Sequence, residues 1–327
     1  MAYQREGDAY VVAPRAIATL TDPRRMEGTL GTVRHGGRLV GDVDAAAYNG
    51  GRAIAVRYAV EDDVAIPLDQ DGLLLFSFYG NLQDVRDAVD AHGIDVGPIF
   101  PLPMAWNPAV SWLLELAPVD NAAYATGSHI FVLLPDGDDR DVPVVANVGV
   151  VAHEFGHALL HLLMTGDPQA APIVNEVGTV PAMWQASLHE GFADSLAVLL
   201  LDDPDFLAPT LDLPARRVTG DAALTAAITP ESVEVDPLLG LYDPYPLGTV
   251  FASMVWDVRV VTDDPSATLD WLLRGVQAWA PASAAEMDGA HFLSAFVSQA
   301  ADDTLRSEAC VAIAIRFGDD QVPVECR

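Results

Sequence analysis

The chain has 327 residues, 51% of them hydrophobic, which is enough for a large buried core and too apolar for a disordered polypeptide. Its formal net charge is −30 and all 17 basic residues are arginine, an excess of carboxylate that opposes binding to nucleic acid or to an anionic membrane. No apolar run reaches the ~18–20 residues of a membrane-spanning helix, and Met1 to Leu20 mixes Arg5, Glu6, Asp8, Pro14 and Arg15 with short apolar stretches, unlike a signal peptide.

Residues 1–75 alternate strand-like pieces with turn residues such as Gly36-Gly37 and Asn49-Gly50-Gly51. Ala53 to Val60 and Leu73 to Phe78 are the strongest strand candidates, being rich in β-branched or apolar residues. From Asn81 to His92 the spacing of Leu82, Val85, Ala88 and Val89 predicts a short amphipathic helix, with Asn81 as N-cap and Gly93 as its stop. A proline-rich connection follows, then a β-rich run from Ser128 to Leu134 that ends at Pro135-Asp136-Gly137. Residues 147–165 and 183–201 read as helices. After Pro204 the chain reads as mainly helical, over Leu247 to Val258, Ala267 to Ala280 and Gly289 to Ala301.

The expected fold is α+β. A β-rich segment spans residues 1–80 and a mixed α/β lobe residues 81–170. A mainly helical lobe spans residues 171–327, with the break near Thr165 to Pro181. Cys310 and Cys326, the two cysteines, fall in the last eighteen residues, where a disulfide would staple the tail and imply an oxidising compartment. Two reduced, buried thiols are the alternative. The expected location is secreted, periplasmic or cell-surface, with the export signal outside this sequence.

His153-Glu154-Phe155-Gly156-His157 is the strongest chemical signal. Histidines at i and i+4 leave one helix face a turn apart, so their imidazoles can share a tetrahedral ion at ~2.0–2.1 Å. Glu154, beside the first histidine, is placed to take a proton from the attacking water. The flanks Val148, Val150, Val151, Ala158, Leu159 and Leu160 are apolar, so the helix is expected to be buried, and buried histidine and glutamate need partners.

A catalytic zinc site needs a third protein ligand and one open position. His161 continues the face, but a straight helix carries it about 6 Å beyond His157. Glu176 and Glu190 remain. Glu190 stands in Leu188-His189-Glu190-Gly191-Phe192-Ala193-Asp194, with Asp194 one turn later on the same face, where a carboxylate can accept the free N–H of a ligand histidine. Glu176 has Val180 at the equivalent place, so Glu190 is preferred.

His153-Glu154-x-x-His157 followed by Glu190-x-x-x-Asp194 resembles the gluzincin zinc metallopeptidases, especially their thermolysin and fungalysin branches. Asn121-Ala122-Ala123-Tyr124-Ala125-Thr126-Gly127 is similar to the family's substrate-binding edge strand, which makes Asn121 and Ala122 the positions that match its peptide contacts. Gly248 to Asp257 resembles a fungalysin segment that follows an oxyanion-stabilising histidine. Tyr245 stands at that histidine's position, and a phenol can donate to an oxyanion. The resemblance spans about residues 81–257. It implies a zincin-like fold with the active-site helix between two lobes, a bound zinc and a peptide or protein substrate. The implied reaction is hydrolysis with Glu154 as general base and Asp194 orienting His153. The rivals are a pseudo-peptidase that binds zinc and a partner without cutting, and, behind it, a narrow aminopeptidase. The carboxylates of Asp136-Gly137-Asp138-Asp139-Arg140-Asp141 raise calcium as a further ligand, against the plainer reading of an acidic turn.

Overall fold

The computed structural model describes residues 1–7, 9–40, 47–110, 121–135, 142–174, 179–211, 213–224 and 243–327. The carboxylate-rich segment 136–141 and Glu176 lie outside the described residues. Sheets occupy the N-terminal half and helices the C-terminal half. The chain forms two compact units, Met1–Leu159 with Leu207–Asp212, and Leu160–Phe206 with Leu213–Arg327.

The first unit is built on a mixed sheet. Its strands run in the order Asn121–Ala125, Ile130–Leu134, Leu102–Trp106, Gly31–His35, Glu27–Gly28 and Leu20–Asp22, with Arg52–Ala53 also paired to Gly31–His35. Leu102–Trp106 is parallel to both of its neighbours, whereas Asn121–Ala125 returns antiparallel to Ile130–Leu134. Asn121–Ala125 is therefore the terminal strand of this sheet among the described residues. Ile130–Leu134 is apolar throughout because both of its faces are covered. Ile130, Val132 and Leu134 pack with Leu39, Ala105 and Val110, while on the opposite face Phe131 meets Phe78 edge-on with ring centroids 5.6 Å apart.

Phe78 belongs to helix α1, Gln70–Asp90, and here two expectations are corrected. Leu73 to Phe78 is helix rather than strand. Asn81 is no N-cap but a buried mid-helix residue that donates to the Ala146 carbonyl at 2.9 Å. Asp69 caps the helix instead, accepting the Gly72 N–H at 2.9 Å. The reason is packing. Ten consecutive residues, Leu74 to Gln83, are buried, and a helix covered on all sides carries no polar stripe to reveal its period. The expected strand Ala53 to Val60 is likewise two pieces, because its ends pair with different partners. Arg52–Ala53 joins Gly31–His35, and Tyr58–Glu61 forms a hairpin with Val64–Pro67.

Helix α2, Val148–Thr165, begins at Asn147. The Asn147 side chain accepts the Gly149 N–H at 2.8 Å and the Tyr10 hydroxyl at 2.7 Å, and donates to Thr210 at 2.9 Å. The second unit is helical, with α3 Val180–Leu201, α4 Tyr245–Thr262, α5 Pro265–Trp279, α6 Gly289–Ser298 and α7 Asp303–Phe317. Cys310 and Cys326 form a disulfide. Among the described residues no helix is long and apolar enough to cross a membrane.

The crossing of α3 and α4 is set by two glycines. A Cβ on Gly191 would stand 2.6 Å from the Gly248 carbonyl oxygen, and one on Gly248 would stand 3.0 Å from the Glu190 Cβ. A side chain at either position would force the helices apart beside Glu190. Gly191→Ala is expected to cost about 1–3 kcal/mol of stability, measured by urea unfolding; a variant that unfolds with the parent would contradict this account of the crossing.

Candidate metal centre

The helix period places His153 and His157 one turn apart on α2, and their rings meet edge-on with Nε2 atoms 3.2 Å apart. Two ligands of one four-coordinate ion at ~2.0–2.1 Å stand about 3.3 Å apart, so the spacing suits a shared metal. One ligand atom each from His153, His157 and Glu190 lie within 4.8 Å of one another, and this is the one such group of three among the described residues. Two imidazole nitrogens and a carboxylate oxygen are a donor set that can hold a metal ion. His161 is packed away, 1% exposed, with Nε2 3.0 Å from the Ala170 carbonyl.

Glu154 is buried among apolar neighbours such as Phe155, whose ring stacks on Phe100 with centroids 6.1 Å apart. Glu154 Oε2 accepts the backbone N–H of Tyr124 at 2.7 Å, and Oε1 lies 4.0 Å from His153 Nε2. Tyr124 is in the terminal strand, so an edge N–H is what fixes the carboxylate. In an antiparallel pair alternate residues turn their backbone groups away from the partner strand, which gives Ala122 the same outward sense as Tyr124. Asn121 Oδ1 accepts the Ala122 N–H at 2.9 Å.

Glu190 and Asp194 share a face of α3 at i and i+4. Arg216, in the short 3₁₀ turn Pro214–Arg216, reaches both. Its Nη2 donates to Asp194 Oδ1 at 2.5 Å and stands 3.6 Å from Glu190 Oε2. The Tyr245 ring, at the start of α4, lies under the Arg216 guanidinium, 4.3 Å from ring centroid to Cζ. Burial works against the arginine charge, but Asp194, Glu190 and Tyr245 outweigh it and hold the guanidinium above its ordinary range. Asp194 is 1% exposed, and Tyr245 is 41% exposed.

Two participants carry no signal in the sequence. Arg216 precedes a second arginine in a proline- and leucine-flanked loop, and nothing local marks it as the buried one. Tyr124 acts through its peptide N–H, a group every residue but proline possesses. No protein-family model matches the chain, and no curated protein matches it in sequence.

Proposed function

We propose that the protein is a zinc-dependent peptidase with a zincin-like fold, in which His153, His157 and Glu190 hold the metal and Glu154 is the general base. The observation that carries this reading is the Glu154 carboxylate, anchored by one oxygen to a strand-edge amide and presenting the other 4.0 Å from His153 Nε2. A module that only stored or sensed metal would have no use for a buried carboxylate so oriented. When bound, zinc supplies a Lewis acid that polarises water and the scissile carbonyl.

The rest falls to the chain's own groups. Glu154 takes a proton from the attacking water at Oε1 and passes it to the leaving amine. The terminal strand Asn121–Ala125 takes an extended peptide by strand addition, with Ala122 offering its outward carbonyl and Asn121 its side-chain amide. Asp194 orients a ligand histidine, and Arg216 pairs with Asp194 and stands beside Glu190, fixing the two carboxylates on their helix face. Tyr245 is the proposed hydrogen-bond donor to the oxyanion. The Cys310–Cys326 disulfide supports a secreted, periplasmic or cell-surface location.

The second reading, a zinc-binding pseudo-peptidase, draws on the same tyrosine. Its ring is engaged by Arg216, and a phenol replaces the histidine of the families it resembles. Cleavage of an unfolded protein substrate, reconstituted with zinc and followed by mass spectrometry, separates the two. The peptidase reading expects new peptide termini that vanish on chelation and return with zinc. Zinc binding without any cleavage would favour the pseudo-peptidase.

A further inference from the structure

Tyr124 and His129 form a buried pair on the hairpin that carries the terminal strand, at 3% and 5% exposure. The Tyr124 hydroxyl lies 2.6 Å from His129 Nδ1, and His129 Nε2 lies 2.8 Å from the Ile99 carbonyl oxygen. A carbonyl only accepts, so Nε2 carries the imidazole proton, Nδ1 is the acceptor and the phenol donates. Burial pushes the Tyr124 phenol up from its ordinary value, which keeps that donor protonated.

His129 also sits in the left-handed region, φ 48° and ψ 57°, where glycine or asparagine is the ordinary choice. A histidine held there with both ring nitrogens engaged points to a requirement for the side chain itself. One end of this brace is the segment at Ile99. The other is Tyr124, whose N–H holds Glu154 Oε2 at 2.7 Å. We propose that His129 is a positioning residue for the general base: by locking the Tyr124 side chain it fixes the peptide N–H that orients the Glu154 carboxylate. The inference rests on the peptidase reading only for its catalytic consequence, because the brace and the carboxylate contact stand without it.

The test compares H129N with H129G in the full chain. Both residues tolerate the left-handed backbone, but only asparagine offers an oxygen that can accept from the Tyr124 hydroxyl. The first readout, taken on zinc-free ¹⁵N-labelled protein, is the shift and exchange rate of the Tyr124 amide proton. The second is kcat and KM on a cleaved peptide. H129G is expected to speed exchange of the Tyr124 amide by roughly tenfold or more. It is expected to lower kcat by about 10–100-fold with KM within about twofold, while H129N stays near the parent on both. Should H129G not fold, Y124F removes only the hydroxyl and is expected to act in the same direction. A Tyr124 amide unchanged in H129G, or in Y124F, overturns the proposal, and so does an H129N variant as impaired as H129G. A loosened amide in a protein whose parent cleaves nothing sinks the peptidase reading and leaves the brace on Glu154 standing.

Discussion

Glu154→Gln is expected to lower kcat for peptide hydrolysis by about 10²–10⁴-fold while metal content stays at the parent level. Glutamine keeps the volume of the side chain and an oxygen that can still accept the Tyr124 N–H, which glutamate accepts at 2.7 Å. The terminal strand and the two histidines therefore keep their arrangement. What is lost is basicity, since a neutral amide cannot take a proton from the attacking water. Parallel measurement of kcat, metal content and melting temperature separates this from a folding defect. A variant that cleaves as fast as the parent would remove Glu154 from the mechanism.

Arg216→Ala is expected to destabilise the second unit by about 3–5 kcal/mol, as is usual when one partner of a buried ion pair is removed. Arg216 and Glu190 have side chains only 13% and 15% exposed, and Asp194 is 1% exposed, so little solvent is at hand to replace the guanidinium. Two carboxylates one helical turn apart would be left to repel each other in a poorly hydrated site. Lysine is not expected to restore the parent, because a single ammonium cannot reproduce the forked contact of Nη2 and Nε with the two Asp194 oxygens. Urea unfolding of R216A, D194A and the double variant gives the coupling directly. The double variant should be less destabilised than the sum of the singles. Additive losses would mean that the ion pair contributes nothing of its own.

What could be read from the sequence was local and periodic. The His153–His157 helix and the strand Ile130–Leu134 lie where the apolar periodicity and the β-rich run put them, and Asn121–Ala125 is a strand as the family resemblance implies. Helices α3 to α6 begin or end within a few residues of the expected bounds. Helix α1 is half hidden because its middle, Leu74 to Gln83, is buried, leaving a run from Leu73 to Phe78 that looks like a strand. Helix α7 carries a weaker periodic signal, since exposed Val311 and Ile315 blur its polar face. The electrostatic frame of the candidate site was less legible still. Arg216 meets Asp194 and Glu190 only after folding, across 22 and 26 residues of chain, and the Tyr124 contact to Glu154 uses a backbone group that sequence does not distinguish.

The most direct test of the account is zinc content by elemental analysis, on the reconstituted parent beside E190A and E176A. The expected result is about one zinc per chain in the parent and in E176A, with nearly all of it lost in E190A. A parent that takes up no zinc, or an E190A variant that keeps it all, would contradict the metal centre and the peptidase reading built on it.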